Sequence, residues 1–193
     1  MLVTDRGERL TLAVDRWHTD ADDVEVALLA TLPDPVLDVG CGPGRIVAAL
    51  ATEGRPALGV DTSRAAIAVA ARRRVPTLRR SVFDPLPGER RWGAVLLLDG
   101  NVGIGGDPEA LLARAAGLLR PGGVVVAEVE PPGTATGSRT ARIESAAGAG
   151  PWFPWARVAA DRFGDLARRA GLVPEPQAPV TTGGRWFARA ERP

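Results

Sequence analysis

Apolar and polar positions alternate in blocks along the chain. Short, nearly continuous apolar runs predict strands over 35–40 (PVLDVG), 56–61 (PALGVD), 77–83 (TLRRSVF), 93–99 (GAVLLLD) and 123–130 (GVVVAEVE). Between them, apolar residues at helical spacing predict helices near 43–54, 63–74 and 107–119. This β-α-β-α rhythm predicts an α/β fold: a parallel sheet with helices on both faces. Pro121-Gly122-Gly123 stops the third of these helices. The following stretch, PPGTATGSRTARIESAAGAGPWFPW (131–155), is too long and irregular for a simple connection and reads as an excursion over the edge of the sheet. An amphipathic helix is predicted over 156–170. Two strand-like pieces follow, LVPEPQAPV and GRWFARAE, joined by the turn Thr182-Gly183-Gly184. Nothing repeats, so residues 1–193 read as a single domain, with an N-terminal segment over 1–32.

Length agrees with one core, because 193 residues bury roughly two thirds of the unfolded surface. Hydrophobic residues at 45% and charged residues at 24% sit near the globular average, which argues against disordered and fibrous chains. A net charge of +1 supplies no general attraction to phosphate backbones or anionic membranes. Cys41 is the sole cysteine, so an internal disulfide and a cysteine-rich metal site are excluded, and a reducing, cytoplasmic setting is expected. Neither a signal peptide nor a membrane-length apolar run is visible. The chain has no lysine and no tyrosine, which removes Schiff-base chemistry and phenolic acid or base catalysis. His18 is the only histidine. Proton transfer therefore falls to His18, a carboxylate, Cys41 or water.

VLDVGCGPGRI (36–46) places Gly40, Gly42 and Gly44 directly after a buried strand. A strand, a glycine turn and a helix let backbone approach a ligand closely and aim free N–H groups at it. Gly40 and Gly42 fit the first two glycines of the dinucleotide fingerprint, but the third position is Arg45, and Gly44 comes one residue early. Asp61, ending the second strand, stands where a carboxylate accepts hydrogen bonds from ribose hydroxyls. A ribose-bearing ligand is expected.

At this point the chain resembles the class I S-adenosylmethionine-dependent methyltransferases of the small-molecule type. LDVGCGPGR, GVDTS (59–63), SVFDPLPG (81–88), WGAVLLLDGN (92–101) and LLRPGGVVVAEVE (118–130) follow the order of that family's motifs. The resemblance covers residues 20 to 130. It implies a three-layer, Rossmann-like, seven-stranded sheet of order 3-2-1-4-5-7-6 with an antiparallel last strand, GRWFARAE. It also implies S-adenosyl-L-methionine as cofactor and S-adenosyl-L-homocysteine as product.

The resemblance assigns roles by position. Gly40, Cys41, Gly42 and Gly44 would lie against the methionine part and the ribose, with Asp38 near the ligand's ammonium. Asp61 would take the ribose hydroxyls and Thr62 would sit beside the adenine. Val82 and Phe83 would offer backbone and apolar surface to the adenine, and Asp84 is a candidate partner for its amine. The commoner Gly-Asp pair of this motif is replaced by Arg80-Ser81. Trp17 suits a lid facing a sulfonium. Bases for an acceptor would come from the ends of the fourth and fifth strands, where Asp99, Asn101, Glu128 and Glu130 stand, or from His18.

Simpler readings accompany each of these. Asp38 and Asp61 could cap turns, and Asp99 and Asn101 could stabilise the loop DGNVGIGGDP, whose Asp107 and Pro108 resemble a helix N-cap and first residue. Glu128 and Glu130 fit solvated strand ends, His18 an ordinary surface histidine, and Trp17 plain packing. Cys41 is accounted for by its small size. The arginines at 72–74, 79 and 80 fit a solvated helix end better than nucleic acid. Trp152, Phe153 and Trp155 fit a core corner or a substrate wall equally.

Three function classes follow. The first is a methyltransferase acting on a small molecule, since the strand end Asp99-Gly100-Asn101-Val102 lacks the aromatic that stacks a flipped base. The second is a NAD(P)-dependent oxidoreductase, disfavoured by the glycine spacing. The third is a cofactor-binding protein of the same fold that transfers no methyl group. Partners are expected to be a small molecule, with neither nucleic acid nor membrane, in a monomer or homodimer.

Overall fold

The computed structural model describes residues 1–145, 148–175 and 184–193. The chain opens with β1 (Leu2–Thr4), β2 (Arg9–Leu10), α1 (Val14–His18) and α2 (Asp23–Ala30). Then come β3 (Val36–Val39), α3 (Arg45–Thr52), β4 (Ala57–Asp61), α4 (Arg64–Arg72), β5 (Thr77–Arg79) and β6 (Trp92–Leu97). After a 3-10 turn at Asn101–Gly103, the order is α5 (Pro108–Leu118), β7 (Leu119–Val129), β8 (Gly137–Ser145), β9 (Gly148–Ala149) and β10 (Phe153–Arg157). The chain closes with α6 (Ala160–Arg169), β11 (Val173–Pro174) and β12 (Trp186–Glu191).

Seven strands form the main sheet in the order β11-β12-β7-β6-β3-β4-β5, which is 3-2-1-4-5-7-6 when its strands are counted along the chain. β3 runs parallel to β4 and β6, and β12 runs antiparallel to β7 and β11. This is the architecture that the resemblance implied. The central strands are buried on both sides because alternate residues feed two cores. Val36, Ala94, Leu96 and Val126 meet Leu29 of α2 and Ile46 and Leu50 of α3, whereas Leu37, Val95, Leu97 and Val125 meet Leu111 of α5 and Phe163 of α6. Local signals agree with this packing. Asp107 caps α5 by accepting from Ala110 N–H, with Pro108 as the first helical residue, and Asp22 and Glu25 form a capping box on α2.

Some expected boundaries shift. The strand expected over 77–83 ends at Arg79, because Ser81 accepts from Asp84 N–H through its carbonyl and from Phe83 N–H through its hydroxyl, turning the chain. The helix expected from 156 starts at Ala160, because 153–157 pair in a sheet. The turn expected at Thr182-Gly183-Gly184 lies, apart from Gly184, outside the described residues, as does the strand-like piece beyond Glu175.

The larger difference is a second, antiparallel sheet. β1 pairs with β2 and β8, β8 pairs with β10, and β9 adds to β8. It joins the N-terminal segment to the stretch 131–155 that read as irregular. β8 hides its strand character because its inward positions include Arg139 and Ala141, so hydrophobicity does not alternate along it.

Candidate active site

The carboxyl ends of β3 to β6, the start of α4, α1 and one face of the second sheet enclose a cavity of about 690 Å³. Its floor begins at the glycine turn. Gly40 and Gly42 adopt φ of 72° and 53°, in the left-handed region that suits glycine. A Cβ on Gly40 would lie 2.4 Å from Asn101 Nδ2, so the turn and Asn101 are fitted to each other. A Cβ on Gly42 would meet nothing within 4 Å, leaving backbone open to the cavity. Cys41 is buried, and a Cβ on Gly59 of the neighbouring strand would come within 2.6 Å of its Sγ. Burial, together with the nearby Asp38 and Asp61 carboxylates, pushes the Cys41 thiol far up, so it is a packing group rather than a nucleophile.

Asp38 lies at the back of this floor. It is 3% exposed, and its carboxylate makes no hydrogen bond or ion pair with any described residue. Burial raises its pKa to about 7; the Arg45 charge opposes that rise, and Asp99, Asp61 and Glu25 add to it. A buried carboxylate without a protein partner, opening onto a cavity, calls for a ligand that brings donors and positive charge. Asp61 accepts from Gly42 N–H at 2.9 Å and from Ser63 N–H at 2.7 Å, so it clamps the turn to the start of α4 while keeping lone pairs for a ligand. Thr62, Val82 and Phe83 continue the wall. Phe83 is 45% exposed, and its ring passes Gly105, where a Cβ would lie 2.8 Å from Cε2.

Two of the expected cofactor residues do not line the cavity. Gly44, with φ of 81°, caps α3, and a Cβ there would sit 2.9 Å from Val75 Cγ2; it serves the packing of α3 against the region after α4. Asp84 sits in the exposed turn after β5, where its carbonyl accepts from Arg114 Nη2.

The expected catalytic residues fall in different settings. His18 lines the cavity and is exposed, and its carbonyl accepts from Arg73, which ties α1 to the end of α4. Asn101 donates to the Val39 and Gly40 carbonyls at 2.9 and 3.0 Å, strapping the glycine turn to the end of β6. Both Asp99 oxygens are taken by guanidiniums, one by Arg16 and one by Arg45 at 2.6 Å. Arg45 also donates to the fully buried Glu25 at 2.8 Å, and Arg185 joins Glu25 to Glu128 at 3.1 and 2.9 Å. Burial alone would raise the pKa of Glu128, but the bonds and charge of Arg185, the Asp99 N–H and Arg16 outweigh it and hold it below the usual carboxylate range. Glu130 pairs separately with Arg157 at 3.0 Å.

Sequence reasoning missed this ion-pair chain, whereas an aromatic wall was one of the two readings of the 152–155 cluster. Trp17 and Trp155 line the cavity with Leu2, Ile143 and Phe153 from the second sheet. Of the cluster at 152–155, Phe153 and Trp155 meet edge to face at 6.1 Å in this wall, while Trp152 lies under the Arg142 guanidinium at 4.7 Å. The signal for Arg45 was present: it occupies the place where the dinucleotide fingerprint requires glycine.

A family of methyltransferase domains matches residues 36–123 through its sequence model. That match spans a little under half of the chain. The chain as a whole is similar in structure to an S-adenosylmethionine-dependent methyltransferase from Bacteroides fragilis, solved with S-adenosylhomocysteine. The TM-score is 0.80 at 20% identity, covering 99% of this chain and 86% of that one. The 1,6-didemethyltoxoflavin N1-methyltransferase of Burkholderia thailandensis gives a TM-score of 0.68 at 24% identity, covering 93% and 81%. An amino pentose methyltransferase from Micromonospora echinaspora gives 0.66 at 23%, covering 96% and 99%. No curated protein sequence matches. At these identities the structural likeness establishes the fold alone, and the chemistry rests on the cavity.

Proposed function

We propose that the protein is an S-adenosyl-L-methionine-dependent methyltransferase acting on a small molecule. The observation that carries this is Asp38: a buried carboxylate with no protein partner, beside an exposed glycine-turn backbone, is complementary to the ammonium of an amino acid moiety. In this reading Asp61 receives the ribose hydroxyls, Thr62, Val82 and Phe83 border the adenine, and Trp17 faces the sulfonium. Gly44 and Asp84 support the scaffold instead. When bound, S-adenosylmethionine would supply an electrophilic methyl group to an acceptor lone pair, with the carbon–sulfur electron pair left on sulfur and any acceptor proton passing to His18 or to solvent.

The chain's own part is positioning and exclusion of water. Asn101 and Asp61 hold the turn from opposite sides. Residues 1–32 act as the lid and 131–155 as the roof, with α1 tied to Asp99 through Arg16 and to α4 through Arg73. His18 is the remaining side chain on the wall suited to taking an acceptor proton, because Asp99 and Glu128 are engaged by arginines. A cavity walled in part by Trp17, Phe83, Phe153 and Trp155 supports a small acceptor, and the buried Cys41 thiol fits a reducing cytoplasmic setting. Among the described residues no helix is long and apolar enough to cross a membrane.

Titration calorimetry with S-adenosylmethionine, S-adenosylhomocysteine and NAD tests the cofactor. Binding of the first two without NAD is expected, and binding of NAD alone overturns the reading. Formation of S-adenosylhomocysteine with candidate acceptors, followed by mass spectrometry, separates methyl transfer from retention of the cofactor without transfer.

A further inference from the structure

A second cavity of about 380 Å³ adjoins the first, sharing Trp17, Trp155 and Asp99 in its wall. Three of the chain's five tryptophans, Trp17, Trp155 and Trp186, line it. Their indole N–H groups have no partner among the described residues and are not sealed from solvent. Its charged lining is balanced. Asp99 is paired with Arg16, Glu128 with Arg185 at 2.9 Å, and Glu130 with Arg157 at 3.0 Å, three acids against three arginines.

We infer that this second cavity binds a neutral sugar ring, which is the methyl acceptor or the part of the acceptor that anchors it. The inference rests on the methyltransferase reading above and names the substrate class of that enzyme. A carboxylate, a phosphate or an ammonium meets no net counter-charge here, because each charged group already has its partner. A purely apolar ligand would strip water from the partly exposed Glu130–Arg157 pair and replace it with nothing. A sugar avoids both costs. Its C–H faces pack on indole rings, and its rim hydroxyls meet the indole N–H groups, the free lone pairs of Glu130 and the Thr11 hydroxyl. The shared wall at Trp17 and Asp99 sets a hydroxyl group of the ring next to the cofactor cavity.

The test is tryptophan fluorescence of the full chain saturated with S-adenosylhomocysteine. It is titrated with the methyl glycosides of glucose, galactose, mannose and rhamnose, and with sodium acetate and tetramethylammonium chloride for comparison. A saturable change with at least one glycoside, and none with either ion, is expected. Glu130→Gln leaves Arg157 unbalanced, so it is expected to weaken the glycoside about tenfold and to create acetate binding. Phenyl glycosides distinguish the sources: tighter binding than the methyl glycoside marks a ring carried on a larger molecule, equal binding a free sugar, and either supports the assignment. Silence from all four glycosides while S-adenosylhomocysteine binds normally overturns the inference, as does preferential binding of acetate or tetramethylammonium to the unaltered protein. If S-adenosylhomocysteine itself does not bind, the methyltransferase reading fails first and the inference falls with it.

Discussion

Arg45 donates to Asp99 at 2.6 Å from a side chain only 4% exposed, joining the first turn of α3 to the end of β6 in the buried wall of the cavity. Its other terminal nitrogen reaches Glu25 on α2. One guanidinium therefore fixes the spacing between α2, the glycine turn and the end of β6.

Removing one member of a buried ion pair leaves the other charge without compensation, which costs about 3 to 5 kcal/mol. Arg45→Met is expected to lower stability by about that much, read from the urea unfolding midpoint. Glu25 keeps Arg185 at 3.1 Å and Asp99 keeps Arg16, so the loss should fall toward the lower end of that range, and adding Glu25→Leu should deepen it by removing the α2 capping box and a partner of Arg185. A double variant more stable than Arg45→Met would show that Glu25 is left uncompensated when Arg45 is gone.

The main sheet was legible in the sequence because β3, β4, β6 and β7 are covered on both faces and read as continuous apolar runs. The glycine turn, Asp38 and Asp61 were legible because they sit at strand ends, where a parallel sheet exposes its ligands. The second sheet was not, since β8 turns Arg139 and Ala141 inward and β1 is only three residues long. The ion-pair chain was hidden for another reason. Arg16 and Asp99 are 83 positions apart and Arg185 and Glu25 160, so no local pattern links them. Asn101 shows the limit from the opposite side, for its place at the strand end suggested chemistry, whereas both of its donor contacts go to the Val39 and Gly40 carbonyls.

On the proposed reading, Asp38 is expected to make cofactor affinity depend on pH. Its pKa is raised to about 7 in the folded protein by burial, against 3.8 as its ordinary value. A group shifted this way favours the folded state below about pH 4, and that contribution is lost as pH rises through 7. Cationic ligand favours the ionised form, so binding below pH 7 must expel a proton. Calorimetry should find S-adenosylhomocysteine affinity level above pH 7 and falling by up to about tenfold per unit below it. Asp38→Asn should flatten the profile, weaken binding at pH 8, and make the ligand-free protein more stable there.

Asp61 holds Gly42 N–H and Ser63 N–H while facing the cavity. Asp61→Ala removes a charged acceptor from two backbone donors and, on the proposed reading, from the ligand, an expected loss of about 1.5 to 3 kcal/mol in binding, or roughly 10- to 150-fold in Kd. Asp61→Asn keeps one carbonyl acceptor and should fall between the two. Unchanged affinity in Asp61→Ala would remove Asp61 from the ligand's contacts.

Gly42 and Gly44 separate ligand approach from packing within one turn. Both carry positive φ, so an alanine at either position costs about 1 to 2 kcal/mol in backbone strain. At Gly42 the added methyl meets no protein atom and enters space at the cavity wall, so Gly42→Ala should weaken S-adenosylhomocysteine far more than the strain alone destabilises the fold. At Gly44 the methyl lies 2.9 Å from Val75 Cγ2 and 3.3 Å from Ala70 Cβ, away from the cavity. Gly44→Ala should therefore lose more stability than Gly42→Ala and, once folded, bind with nearly unchanged affinity. Thermal unfolding and calorimetry on the same two preparations read both effects, and the reverse ranking would exchange the roles given to these glycines.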